Sequence, residues 1–437
     1  MSPPFIITEH AIDCQYIREY PRATTPQNAP LKLHVKKYTP VDNQRPQPGD
    51  VTLIGAPGAG CPKELYEPLW EDILARSKHD GFRIRAIWAA DSFSSGTSGV
   101  LNEGYLGNDP SWFDHSRDII QLIQQLRDDM PQPIMGIGHS AGAVSLMFAS
   151  LIHPRLMHSL ILLEPFVHRG LPVQATQWII ARSRQGDIWR SRAEARDKTA
   201  KLIGAYDPRV RDRFAQVAFR ELPTPLYPVR EEPSGPSEGE KEKGVALTTP
   251  VAQEVALYMR PNLRRRRQLG VKHGEKEDTA AHDAVFLPDM IGPMEPGRVS
   301  YRPEPVIVFS LLAHLRPGAL YISGETSVLQ KAGLQKQAAD KTGTRVGGSG
   351  GVEYGRVKHV VLKAGHMHPF ERVSETAEGA GEWIATEAKR WREEESRIND
   401  GWKDLSARER IGLSKEWQEM RDINEKMFPV RKQRSKI

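Results

Sequence analysis

The run Gly138-His139-Ser140-Ala141-Gly142 has the composition of a nucleophile held at a tight turn. In a G-x-S-x-G pentapeptide the serine occupies a strained strand-to-helix turn, so the residues two positions away on each side must be small. Such a turn lifts the hydroxyl above a sheet. It also leaves the backbone N–H of Ala141 at a helix N-terminus, aimed at a developing oxyanion. The flanks agree. Ile134-Met135-Gly136-Ile137 reads as a short apolar strand, and Ala141 to Ile152 reads as a small-residue, buried helix. A glycine turn with an incidental serine is the bland alternative, and it leaves that matching context unexplained.

A serine alkoxide is out of reach at neutral pH without a base. In chain order nucleophile, acid, histidine, the base follows the last strand. That strand reads as Val357 to Leu362, and it leads into Gly365-His366-Met367-His368-Pro369-Phe370-Glu371. His366 is the expected base and His368 its rival. One base suffices for the triad, so only one of the two need face Ser140. The other is then a surface or supporting histidine.

The acid must hold the base's tautomer. Glu164 ends the very apolar run Leu160 to Leu163, and Glu325 follows Gly324 at the end of a later strand. Both lie between Ser140 and His366, so order does not choose. A carboxylate ending a buried strand needs solvent or a partner, which favours Glu164; Glu325 remains the alternative. Asp91 precedes Ser140 and is read as structural. The second oxyanion donor should come from the loop after the first core strand, Gly55-Ala56-Pro57-Gly58-Ala59-Gly60-Cys61. There the N–H of Cys61, then of Gly60, is the expected donor. Cys61 has no visible partner to make it a thiolate. The loop is no P-loop, because no Gly-Lys-Ser/Thr follows.

The elements that must position these groups alternate. Val51 to Gly55 and Arg83 to Ala90 read as strands, with helical spacing of Leu65, Leu69, Ile73 and Leu74 between them. Asp114 to Asp129 is strongly amphipathic. Ala319 to Gly324 is a further strand, and a glycine-rich loop, Gly347 to Gly351, precedes the last one. This is the βαβ pattern of a mostly parallel sheet with helices on both faces. It predicts a core made of residues 1–165 and 305–390. Residues 166–304 are richer in Arg, Pro and Glu, lack clean strands, and read as an inserted lid with a flexible loop near 228–244. A charged helical tail, 391–437, closes the chain, with Trp383, Ile384, Trp391, Ile398 and Trp402 as anchors around its start.

The bulk numbers bound the class. With 39% hydrophobic and 27% charged residues, the chain reads as globular. Two cysteines, Cys14 and Cys61, give no disulfide framework and fit a reducing compartment. No apolar run is long enough to span a membrane, and Met1 to Ile7 lacks a secretory pattern. No Cys/His spacing suggests a metal, and the expected chemistry needs no cofactor. The net charge of +6 is mild for this length. The basic cluster Arg264 to Arg267 reads as a solvated face or a seat for an anionic substrate group. It lacks interleaved aromatics, which argues against nucleic acid.

These motifs resemble the α/β-hydrolase superfamily. Within it the chain is similar to fungal hydrolases of secondary-metabolite clusters, both the host-selective-toxin biosynthesis type and peroxisomal acyl-CoA hydrolases. The matching segments are Lys63-Glu64-Leu65-Tyr66-Glu67-Pro68, Ser98-Gly99-Val100-Leu101-Asn102, Gly138 to Gly142, Leu163-Glu164-Pro165 and Gly365 to Glu371. In that group the triad acid sits at the position of Glu164, where aspartate is usual; glutamate can do the same work. The loop Ala59-Gly60-Cys61 departs from the superfamily's common His-Gly-aromatic. The resemblance implies an α/β-hydrolase fold with a lid, and hydrolysis of an ester or acyl-CoA thioester through an acyl-enzyme. Acyl transfer by the same Ser-His chemistry and a non-catalytic scaffold are the alternatives. An epoxide hydrolase would need a carboxylate where Ser140 stands. Ser435-Lys436-Ile437 is a variant of the Ser-Lys-Leu peroxisomal address. It predicts recognition by an import receptor and a peroxisomal location, with the cytoplasm as the alternative.

Overall fold

The computed structural model describes residues 3–170, 177–228, 243–261, 270, 284–289 and 300–428. The loop near 228–244 falls almost wholly outside them. So do Arg264 to Arg267 and Ser435-Lys436-Ile437.

Eight strands form one sheet: β1 (Phe5–Asp13), β2 (Lys32–Pro40), β3 (Val51–Ala56), β4 (Ile84–Ala90), β5 (Ile134–His139), β6 (Ser159–Leu163), β7 (Gly318–Gly324) and β8 (Val357–Leu362). Their spatial order is β1-β2-β4-β3-β5-β6-β7-β8. The β1/β2 and β2/β4 pairs are antiparallel and the remaining pairs parallel. This is the α/β-hydrolase fold. The first strand escapes a hydrophobicity reading because β1 is an edge strand with most of its side chains exposed.

The central strands show why the sheet must be covered on both sides. In β6, Leu160 and Leu162 pack into one core while Ile161 and Leu163 pack into the other; in β7, Tyr321 and Ile322 divide the same way. One core is closed by α2 (Trp112–Gln125) and α3 (Ala141–Ile152). The other is closed by α1 (Glu67–Asp80) and by Ala377, Ala380 and Ile384 of the helix Val373–Lys403. Full burial of each such aliphatic side chain stabilises the fold by roughly 1.5–3 kcal/mol.

Helix α2 begins two residues earlier than its charge pattern suggests, because the Ser111 hydroxyl caps it by accepting from the N–H of Phe113. The stretch between β6 and β7 is not free of strands. Ile188–Trp189, Val245–Leu247 and Phe219–Glu221 form a small antiparallel sheet, and Arg260–Pro261 pairs with Ser300–Tyr301. Two or three residues are too short to leave a periodic trace.

The chain divides into two compact units, Met1–Ala388 and Lys389–Ile437. The second holds the end of the long helix and the helices Ala407–Ile411 and Lys415–Met427, capped by Ser406 and Ser414. Ile398 and Trp402 are exposed, at 42% and 49%, and so are not anchors; Trp383 and Ile384, in the first unit, are buried. Among the described residues no helix is long and apolar enough to cross a membrane.

Candidate active site

Ser140 sits between β5 and α3 with φ 52° and ψ −116°. The small neighbours are required by contact. A Cβ on Gly138 would lie 2.6 Å from the Cα of Ala143, and one on Gly142 would lie 2.2 Å from the carbonyl oxygen of Ala56. The missing side chain at Gly142 therefore lets the elbow seat against the end of β3. Ala141 opens α3, so its N–H has no acceptor within the helix.

Three side chains meet at this elbow. The Oγ of Ser140 lies 3.0 Å from the Nε2 of His366. The Nδ1 of His366 lies 3.0 Å from the Oε2 of Glu164. The other oxygen of Glu164, Oε1, accepts the N–H of Gly324 at 2.5 Å. Glu164 is fully buried, whereas Ser140 and His366 are half-buried. Ser140 and Glu164, with φ of 52° and 46°, are the non-glycine residues of positive φ among those described. Each such conformation costs on the order of 1–3 kcal/mol and persists where surrounding packing holds it. At Glu164 the turn is fixed by its own N–H, which donates to the carbonyl of Ile322 at 2.8 Å. Glu325 is exposed on the far side of β7, its N–H bonded to the carbonyl of Leu362, and it does not join the group.

The segment after β8 is not extended. His366 and Met367 form a turn, and His368 opens the short helix His368–Glu371. His368 is fully buried, with Nε2 3.1 Å from the carbonyl of Ile322 and Nδ1 3.0 Å from the Oγ1 of Thr376. It is a core histidine bracing β7. Burial holds its imidazole down at about 4, against an ordinary value of 6.5. Between those values the unfolded chain binds a proton that the folded chain refuses. Stability from this group is therefore complete above 6.5 and is lost as the pH falls toward 4. The full displacement corresponds to roughly 3 kcal/mol. We expect the thermal midpoint to fall through this window, and a His368→Gln chain to fall less steeply. Equal slopes in the two chains would remove His368 as the cause.

The loop after β3 departs from the expectation for Cys61. Its N–H is engaged, donating to the carbonyl of Gly58 at 3.0 Å. The N–H of Gly58 donates to the Oη of Tyr66 at 2.9 Å. Gly60, with φ 75°, turns toward the insert, where a Cβ would lie 2.5 Å from the Cγ of Glu254. Gly58 instead lies against the elbow, its Cβ position 3.5 Å from the Cβ of Ser140. Ala59 and Ser140 line the same cavity, and the carbonyl of Ala59 accepts from the Oη of Tyr258 in the insert at 3.1 Å. Spacing alone could not show that the Cys61 N–H is engaged, because the turn that occupies it has no sequence signature of its own. Desolvation, with Glu254 nearby, pushes the Cys61 thiol up to about 12, which argues against a thiolate there. Asp91 is buried against the Nζ of Lys63 at 2.6 Å and also accepts the Lys63 N–H, anchoring the end of this loop to β4.

Above Ser140 opens a cavity of about 2370 Å³. Its walls include Trp178, Ile179 and Phe214 of the insert, and Arg169, Lys198 and Lys201 also line it.

No protein-family model matches the chain. Over 432 residues, 95% of this chain and 95% of the other, it is 37% identical to the type I acyl-CoA thioesterase mpaH of Penicillium roqueforti (strain FM164). Over 152 residues, 34% of this chain and 39% of the other, it is 29% identical to the peroxisomal membrane protein LPX1 of Saccharomyces cerevisiae. The crystal structure of the peroxisomal α/β-hydrolase Lpx1 from that yeast superimposes with a TM-score of 0.61 at 15% identity, over 98% of this chain and 99% of the other. A parallel sheet with a serine elbow, and kinship running nearly end to end, lead to one assignment: the protein is a hydrolase of the α/β-hydrolase fold and belongs to the family of the Penicillium type I acyl-CoA thioesterases.

Proposed function

We propose that the protein hydrolyses an acyl-CoA thioester through an acyl-enzyme on Ser140, in the biosynthesis of a secondary metabolite. The observation that carries this reading is the position of one imidazole, 3.0 Å from the Ser140 hydroxyl on one side and 3.0 Å from a buried carboxylate on the other. Glu164 accepts the Nδ1–H of His366 and so leaves Nε2 bare to take the serine proton. The alkoxide attacks the thioester carbonyl, and the N–H groups of Ala141 and Ala59 receive the oxyanion. Collapse expels the thiol, protonated by His366. Water, activated by the same Nε2, then releases the acid and restores Ser140.

The relatives named acyl-CoA thioesterases support the substrate class. So does the cavity, which exceeds the roughly 300–1000 Å³ of an ordinary small-molecule site. Arg169, Lys198 and Lys201 among the lining residues suit a phosphate-bearing carrier. The test is a panel of acyl-CoA thioesters and simple oxygen esters of the same acids, read by thiol release and by acid formed. One acid per thiol, and a kcat/KM for the CoA thioester at least 100-fold above that of the oxygen ester, is expected. Thiol release without free acid, with the acyl group on an added acceptor, would establish the transferase alternative instead.

A peroxisomal location is supported by the relative named a peroxisomal membrane protein. Ser435-Lys436-Ile437 is the address that an import receptor would read. Deleting these three residues from a fluorescently tagged chain should change a punctate distribution to a diffuse one. Puncta unchanged by the deletion would dismiss the address.

A further inference from the structure

We infer that Tyr66 and His139 are positioning residues, forming a one-way hydrogen-bond relay that locks the oxyanion loop to the backbone of the catalytic base. The inference rests on the Ser140–His366 chemistry proposed above and adds two residues to it.

Four groups lie in series. The N–H of Gly58 is 2.9 Å from the Oη of Tyr66. That Oη is 2.7 Å from the Nδ1 of His139. The Nε2 of His139 is 3.1 Å from the carbonyl oxygen of His366. The two ends fix the direction of every bond. A carbonyl oxygen can only accept, so Nε2 of His139 carries the ring proton. Nδ1 is then a bare acceptor and takes the hydroxyl proton of Tyr66. The tyrosine oxygen is left to accept the N–H of Gly58, which can only donate.

The relay keeps this polarity because His139 stays neutral. Burial, with His366 and His368 close by, holds its imidazole well below the ordinary range. Tyr66 is buried at 3% exposure, packed between Trp70 and Phe370. His139 is exposed by 1%.

What the relay joins gives it a function. At one end is Gly58, whose neighbour Ala59 carries the proposed second oxyanion N–H. At the other is the main chain of His366, whose ring must stay 3.0 Å from Ser140. The loop and the base come from opposite ends of the sequence, after β3 and after β8. His139 is the residue immediately before the nucleophile. A ring at that position with two nitrogens, one donating and one accepting, can brace both sides of the elbow together. A Cβ on Gly58 would lie 2.9 Å from the Nδ1 of His139, so glycine is required for this approach.

Tyr66→Phe removes one oxygen and keeps the ring. We expect kcat for the CoA thioester to fall about 10- to 100-fold with KM within twofold. The rate of Ser140 labelling by a fluorophosphonate should fall by the same factor, since it too develops charge in the oxyanion site. His139→Gln retains an N–H able to reach the His366 carbonyl but not the full bridge, and should recover part of the loss seen in His139→Leu. Wild-type rates of both turnover and labelling in Tyr66→Phe would overturn the relay, as would a loss confined to thermal stability or to KM. If Tyr66→Phe does not fold, the ordering of His139→Gln above His139→Leu in labelling rate decides. Absence of labelling in the unaltered protein would instead defeat the serine mechanism, so the two failures are distinguishable.

Discussion

Ser140→Ala should lower kcat for the preferred thioester by about 10⁴- to 10⁶-fold and abolish fluorophosphonate labelling, while the thermal midpoint stays within a few degrees. The size follows from what is removed. Without the hydroxyl no acyl-enzyme forms, and what survives is binding and oxyanion stabilisation acting on direct attack by water. The small effect on stability follows from the elbow. Its strain is carried by backbone packing at Gly138 and Gly142, which alanine at 140 leaves in place. The variant should therefore still bind substrate, and equilibrium binding of an acyl-CoA to it would measure ground-state affinity free of turnover. Residual activity above one part in a thousand, with the protein folded and free of wild-type carry-over, would show that another group attacks the carbonyl.

Glu164→Gln should cost about 10³- to 10⁴-fold in kcat with KM nearly unchanged, and Glu325→Gln should stay within twofold of the unaltered protein. The asymmetry is set by Gly324. Its N–H donates to the Oε1 of Glu164 at 2.5 Å. In the amide variant the carbonyl oxygen must face that donor, so the NH₂ group turns to the Nδ1 of His366. Nδ1 then accepts, the ring proton moves to Nε2, and the nitrogen facing Ser140 can no longer take a proton. The geometry survives with the wrong tautomer. Glu325 is exposed and has no such neighbour. Steady-state kinetics of the two variants side by side decide the matter, and the reverse ordering would move the acid to Glu325.

Much of this protein can be read along the chain. The elbow is legible because its requirements are local: small residues beside the serine, an apolar strand before it and an apolar helix after it. The central strands are legible because burial on both faces makes them almost wholly apolar, as in Leu160 to Leu163. The edge strand β1 is not, since exposed side chains carry no hydrophobic period. The short strands of the insert, two or three residues each, are lost for want of length.

What the chain by itself determined was the candidate nucleophile and the parallel sheet beneath it; what the tertiary structure decided was everything that depends on two distant segments meeting. Glu164 and Glu325 both end strands after the serine, and only the pairing of Leu163 with Ile322 turns one of them toward His366. His366 and His368 stand two residues apart, and only the short helix beginning at His368 buries one ring and leaves the other facing Ser140. The N–H of Cys61 is consumed by a single turn bond to the carbonyl of Gly58. The physical reason is common to all three. Residue type states what a group can donate or accept, but a hydrogen bond has a length and a direction, and those are set by the backbone of the neighbour it finds.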